Sequence, residues 1–165
     1  MWRRERTVEQ QRDIRRRISL KAEQEHRMTL AKIVRRLDQF GMREVDMVDV
    51  EKDLYLPERP DALYCQPDII VWEKHGEPAV IEYKRSWRHY PTAFLQLGHA
   101  AYVMNRVAGI NPRLYFIWEE HARPQRLQFM NVSLTQVAQL FGVGYPYKST
   151  RGVKPCLDNE QYIEQ

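Results

Sequence analysis

The stretch Pro67-Asp68-Ile69-Ile70-Val71-Trp72-Glu73-Lys74-His75-Gly76-Glu77-Pro78-Ala79-Val80-Ile81-Glu82-Tyr83-Lys84 decides how the chain is read. Ile69–Trp72 is a β-branched and aromatic run, and so is Ala79–Ile81, which marks two buried strands. Lys74–Pro78 between them holds a glycine and a proline and reads as a turn. The midpoint of positions 68 and 82 is residue 75, inside that turn. A hairpin centred there pairs Ile70 with Val80 and sets Asp68 opposite Glu82, with Cβ atoms ~4.5–5.5 Å apart. Side chains alternate along a strand, so Lys84 shares the face of Glu82. Two carboxylates and an ammonium thus converge at one end of a buried hairpin.

Upstream, Thr7-Val8-Glu9-Gln10 has capping-box spacing, and Val8, Ile14 and Ile18 follow at roughly helical intervals. Leu30, Ile33, Val34 and Leu37 form an i, i+3, i+4, i+7 stripe that Gly41 stops. These signals predict a long helix, bent near Ser19 and ending around Phe40. Val45, Met47 and Val48 suggest a strand, and a polar connection with Pro57, Pro60 and Pro67 follows. Downstream, Pro91 opens a helix that runs to about Val107 and ends at Gly109 and Pro112. Leu114–Trp118 reads as a further buried strand. Ser133-Leu134-Thr135-Gln136 is a second capping box, opening a short helix that stops at Gly142. The order α-β-β-β-α-β-α, with a helix between the third and fourth strands, predicts an α/β fold with a mixed sheet flanked by helices.

A chain of 165 residues, 43% apolar and 29% charged, has the make-up of one globular domain. The boundaries expected are a basic arm or helix over 1–19, the domain over 20–145 and a polar tail over 146–165. The net charge of +4 conceals an asymmetry: residues 1–45 hold 13 Lys and Arg against 7 Asp and Glu, and the remainder is slightly acidic. Such a segment is the electrostatic footprint of a phosphate binder, or else a solvated helix face. Ala100–Met104 and Leu114–Trp118 are far shorter than the ~20 residues of a membrane helix, so no membrane partner is expected. Met1–Arg6 lacks the apolar stretch of a secretory signal. Cys65 and Cys156 cannot build a disulfide framework or a four-cysteine metal site, which leaves the cytoplasm as the expected compartment.

Opposed like charges destabilise a sheet unless something compensates them. A hard divalent cation does so, because Mg²⁺ takes one or two carboxylates together with water and substrate phosphate. With a lysine at hand to orient a water, the constellation outlines a site for phosphodiester hydrolysis. The plain alternative is Lys84 salt-bridged to Glu82 at a strand end. An acid-x-Lys tripeptide alone decides nothing, since a chain of this size holds about one by chance. The joint placement of Pro-Asp, the turn and acid-x-Lys carries the weight.

Pro67-Asp68, the fourteen-residue step to Glu82, and Glu82-Tyr83-Lys84 resemble the PD-(D/E)xK nuclease superfamily over about 100 of the 165 residues. The resemblance implies a restriction-endonuclease-like αβββαβ core, which agrees with the order from Leu20 to Trp118. It makes Asp68 and Glu82 metal ligands, with the Tyr83 carbonyl contributing, and Lys84 the catalytic lysine; the cofactor would be Mg²⁺ or Mn²⁺. Gln96 and Tyr102 are similar to the glutamine-and-tyrosine motif of RecB-type members, though more widely spaced. Superfamily members often supply an acid from the first helix and RecB-type ones a histidine. Stepping the apolar stripe backward from Leu30 reaches His26 and Glu23, which adds both to the expected metal site; Glu25 lies on the other side of the helix. The four cysteines that CRISPR-associated relatives use for an iron–sulfur cluster are missing.

Arg85-Ser86-Trp87-Arg88-His89-Tyr90 places basic and aromatic side chains beside this site, and Arg85 and Arg88 are expected to contact nucleic acid, as are Arg15, Arg16 and Arg17. Leu134–Val143 looks like the first helix and turn of a helix-turn-helix, but Tyr145-Pro146-Tyr147 and Gly152 interrupt where a recognition helix should follow. The sequence therefore predicts a metal-dependent nuclease acting on DNA. A non-catalytic nucleic-acid-binding module on the same fold is the alternative. A Holliday-junction resolvase, which would require a homodimer, is the competitor among enzymes.

Overall fold

A computed structural model of the chain describes residues 7–142. The chain divides into two compact units, one reaching to Leu37 and one starting at Asp38. Arg3, Arg4, Arg6, Cys156, the tail over 146–165 and the segment expected to hold a recognition helix lie outside the described residues.

The first unit is a single long helix, α1 (Val8–Val34). The expected capping box forms: the Gln10 N–H donates to Thr7 Oγ1 at 3.3 Å, and the Thr7 N–H donates to Gln10 Oε1 at 3.1 Å. The helix runs through Ser19 without interruption, one long element as expected. It ends at Val34, before a 3₁₀ turn at Leu37–Phe40. Leu30 and Ile33 are fully buried, whereas Val8, Ile18, Leu20 and Met28 are exposed.

The second unit contains a five-stranded sheet in the order β1 (Val45–Val50), β4 (Ile69–Glu73), β5 (Ala79–Lys84), β6 (Arg113–Glu120), β7 (Arg123–Val132). Neighbours are antiparallel except β5 and β6, which run parallel and are joined by helix α2 (Tyr90–Ala108). The fold is therefore α/β with a mixed sheet. The register of the decisive hairpin is the expected one, with Ile69 beside Ile81 and Ile70 beside Val80. Its turn is closed by Gly76 at φ 89°, a conformation that glycine adopts without strain.

β5 is the middle strand, covered on both faces, which explains an uninterrupted apolar run where a half-exposed strand would alternate. On one face, Ile70, Val80, Leu114 and Phe116 pack against Phe94, Leu97, Ala101 and Met104 of α2. Helix α2 opens with Pro91 in its first turn and ends on Gly109 at φ 64°, as the sequence requires.

Three strands went unread in the sequence. The proline-bearing connection folds into a ribbon of β2 (Leu54–Tyr55) and β3 (Leu63–Cys65), anchored to α2 where Tyr64 meets Tyr102 and Val103. β7 is a full edge strand although its second residue is proline, a residue that sheets accept at their edges. The last element among the described residues is helix α3 (Leu134–Gly142), with the Gln136 N–H donating to Ser133 Oγ at 3.1 Å. Val137 joins the core beside α2.

Among the described residues no helix is long and apolar enough to cross a membrane.

Candidate active site

The hairpin register continues one residue beyond Ile69 and brings Asp68 to Glu82. The Asp68 N–H donates to Glu82 Oε2 at 3.4 Å, and the Tyr83 N–H donates to Asp68 Oδ2 at 2.8 Å. Lys84 Nζ lies 3.1 Å from Glu82 Oε1. The Asp68 carbonyl is itself held by the Glu51 N–H at 2.8 Å, and Glu51 adopts φ 50°. Two acids and a lysine, fourteen and sixteen residues apart in sequence, thus form one hydrogen-bonded group.

Their burial is unequal. Glu82 is 1% exposed and Asp68 8%, while Lys84 sits partly open at the strand end. Taking Glu82 out of water, with the charge of Asp68 second, pushes its carboxyl up to about 8; Lys84 works in the opposite direction. An acid in this position is a functional-site candidate on physical grounds, because its surroundings hold it near neutrality.

The donor set suits a hard cation. It offers two carboxylates and no imidazole or thiolate, and among the described residues no group of three His, Cys, Asp or Glu is assembled for a metal. That is the set from which Mg²⁺ or Mn²⁺ binds with water and phosphate completing its shell, and it is poor in the ligands Zn²⁺ favours.

The other expected residues stand as follows. Tyr83 is buried on the opposite face of β5, where its hydroxyl donates to Glu119 Oε1 at 2.8 Å. Gln96 lies in α2 with its Oε1 buried and unpartnered among the described residues. Tyr102 belongs to the Tyr64 cluster, and its hydroxyl accepts from Arg106 at 3.3 Å. Glu23 is exposed and His26 half-buried, so the apolar stripe of α1 does not extend back to Glu23 as the periodicity suggests. Arg15, Arg16 and Arg17 are exposed on α1.

Arg85 and Arg88 are exposed and line a cleft of about 520 Å³ with Trp87, Trp118, Glu119 and His121. Trp118 and Glu119 come from the end of β6 and His121 from the turn after it. Sequence spacing could not find them, because their position follows from the parallel register that pairs Lys84 with Trp118. Nor does spacing reveal His99, buried in α2 with its ring 5.1 Å from that of Tyr64. Burial lowers its imidazole to about 4.

No family model, no curated protein and no solved structure matches this chain.

Proposed function

We propose that the protein is a divalent-metal-dependent nuclease of the PD-(D/E)xK kind, with the restriction-endonuclease-like core that this implies, hydrolysing phosphodiester bonds in DNA. The observation that carries the reading is the group Asp68–Glu82–Lys84, two opposed carboxylates at a buried strand end with a lysine 3.1 Å from one of them. A scaffold gains little from burying Glu82 beside a second acid. A cation site gains both its ligands in a fixed register.

Asp68 and Glu82 would hold Mg²⁺ or Mn²⁺, with the Tyr83 carbonyl as a third oxygen. Such a cation supplies positive charge that offsets the carboxylates and the negative charge growing on phosphate under attack. Lys84 is the chain's own contribution at the reacting centre. Its ammonium, restrained by Glu82 Oε1, donates to an attacking water and points a lone pair at phosphorus. The Tyr83 N–H holds the Asp68 carboxylate, and the Glu51 N–H holds the Asp68 backbone carbonyl. The arginines of α1 would add salt-dependent affinity for the phosphate backbone. Gln96, Tyr102, Glu23 and His26 have no part in this minimal mechanism.

The test is incubation of the protein with labelled single-stranded, duplex and four-way-junction DNA, with Mg²⁺, Mn²⁺ or chelator. Cleavage that needs metal and falls by about 10²-fold or more in Lys84→Ala is the expected result. Binding without cleavage under every condition would favour the non-catalytic module, and cleavage confined to junctions by an obligate dimer would favour the resolvase.

A further inference from the structure

The cleft beside the site has a composition that the nuclease reading leaves unexplained. One wall is aromatic. Trp87 and Trp118 lie 4.8 Å apart between ring centroids at 58°, Trp118 is backed by Phe116 at 5.0 Å, and Trp87 is stacked with Tyr90 at 5.3 Å. Trp87 nevertheless keeps 44% of its surface exposed, so it is only partly a core residue. Burying the remainder is favourable for any flat apolar ligand.

The charges around this wall are balanced. Arg85 and Arg88 share the lining of the cleft with Glu119 and Glu120. Glu119 accepts the Tyr83 hydroxyl, and Glu120 is ion-paired to Arg123 at 3.3 Å and to Arg126 at 3.9 Å. A pure phosphate trap would hold no carboxylates. A nucleobase explains the mixture, because its faces stack on indole, its amino edge donates to carboxylate oxygens, and its backbone carries the phosphate that arginine binds. The volume of about 520 Å³ is that of a small-molecule pocket rather than a duplex groove. Its location fits too: Trp118 is the register partner of Lys84, and Trp87 lies three residues beyond Lys84 in the chain, so the aromatic wall stands next to the proposed reacting centre.

We propose that this cleft binds an unpaired nucleobase, stacked on Trp87 and Trp118 with its phosphate held by Arg85 and Arg88, so that the substrate is a single strand or a frayed end. This deepens the reading of the same site and rests on the chain handling nucleic acid. A paired base cannot present both faces and its amino edge to the cleft, so duplex is held only through its backbone.

The experiment is fluorescence anisotropy of the full chain in chelator, with one labelled oligonucleotide offered alone and then annealed to its complement. Tighter binding of the single strand is expected, with the preference persisting as salt is raised, since stacking is less screened than phosphate contacts. Trp87→Ala should weaken single-strand binding about five- to 150-fold, the range that loss of one stacked base produces, and leave duplex binding unchanged. Trp87→Phe should restore most of the loss. Because the wild-type comparison needs no variant, a misfolded Trp87→Ala leaves the proposal open to refutation. Equal affinity for the two forms, or equal weakening of both by Trp87→Ala, overturns it. Metal-dependent cleavage with no single-strand preference would overturn this proposal alone. Failure to bind either form overturns it together with the nuclease reading, and a single-strand preference without cleavage upholds it while that reading fails.

Discussion

Glu82 at the end of β5 and His99 in the middle of α2 are both buried titratable groups, and burial moves both toward neutrality, the acid up and the imidazole down. Their surroundings differ. Glu82 faces a second carboxylate and an ammonium, so its state depends on neighbouring charge as well as on burial. His99 is shifted by burial alone and has an aromatic ring as neighbour. The difference teaches that burial alone can neutralise a group, whereas beside other charges its state also follows theirs.

The largest effect that could break this comparison is on turnover. Lys84→Ala should lower the cleavage rate by about 10²–10⁴-fold with the fold intact, the range seen on losing a positioned proton-handling group. His99→Leu should leave cleavage close to wild type. Comparable losses in the two variants, measured on folded protein, would erase the distinction.

Next in size is the response to metal. Without metal, Asp68→Asn removes the carboxylate that faces Glu82 and should melt at the same or a higher temperature than wild type. Saturating Mg²⁺ or Mn²⁺ should then raise the wild-type melting temperature and not that of the variant, worth about 2.7 kcal/mol at a hundredfold excess over Kd. A large loss of stability in Asp68→Asn, equal with and without metal, would instead mark Asp68 as part of a structural ion cluster, since breaking a buried pair costs ~3–5 kcal/mol.

The smallest effect is on the pH profile of the metal-free protein. The Glu82 carboxyl is raised in the fold from 4.5 to about 8, so its contribution is fully present below 4.5 and is lost as pH rises through 8. His99 is depressed from 6.5 to about 4, so its contribution is present above 6.5 and is lost as pH falls through 4. Glu82→Gln should flatten the decline toward alkaline pH and His99→Gln the decline toward acid, each by no more than ~1.4 kcal/mol per pH unit. Chemical denaturation of the three proteins across pH 4–9 reads both slopes. Metal should abolish the first slope and leave the second untouched, and an alkaline slope that persists in Glu82→Gln would assign it elsewhere.

The sequence displayed the hairpin because a two-residue period and a symmetric turn are local properties. Ile70 opposite Val80 follows from counting, and the meeting of Asp68, Glu82 and Lys84 follows from that register. The capping boxes at Thr7 and Ser133 were legible for the same reason. β7 was not, since its run from Arg123 to Val132 mixes arginine, glutamine and a proline among few apolar residues, and an edge strand needs no more than that. The ribbon Leu54–Tyr55 with Leu63–Cys65 is too short to show any period. Trp118 and His121 reach the cleft through a parallel crossover whose register is set by helix packing, which no spacing along the chain encodes. The apolar stripe of α1 says nothing of where its cover stops, and Glu23 lies past the point where burial ends.

Glu51 has a bearing on which sequences this fold can tolerate. It is the sole non-glycine residue at positive φ among the described residues, a conformation that costs an L-residue about 1 kcal/mol or more, and its N–H holds the carbonyl of Asp68. Glycine would relieve that cost and also allow the loop to leave, whereas valine or isoleucine would force it out. In a saturation library sorted first for folding and then for cleavage, position 51 should accept glycine at the first sort and lose it at the second. It would then be a site where the demands of folding and those of chemistry choose different letters.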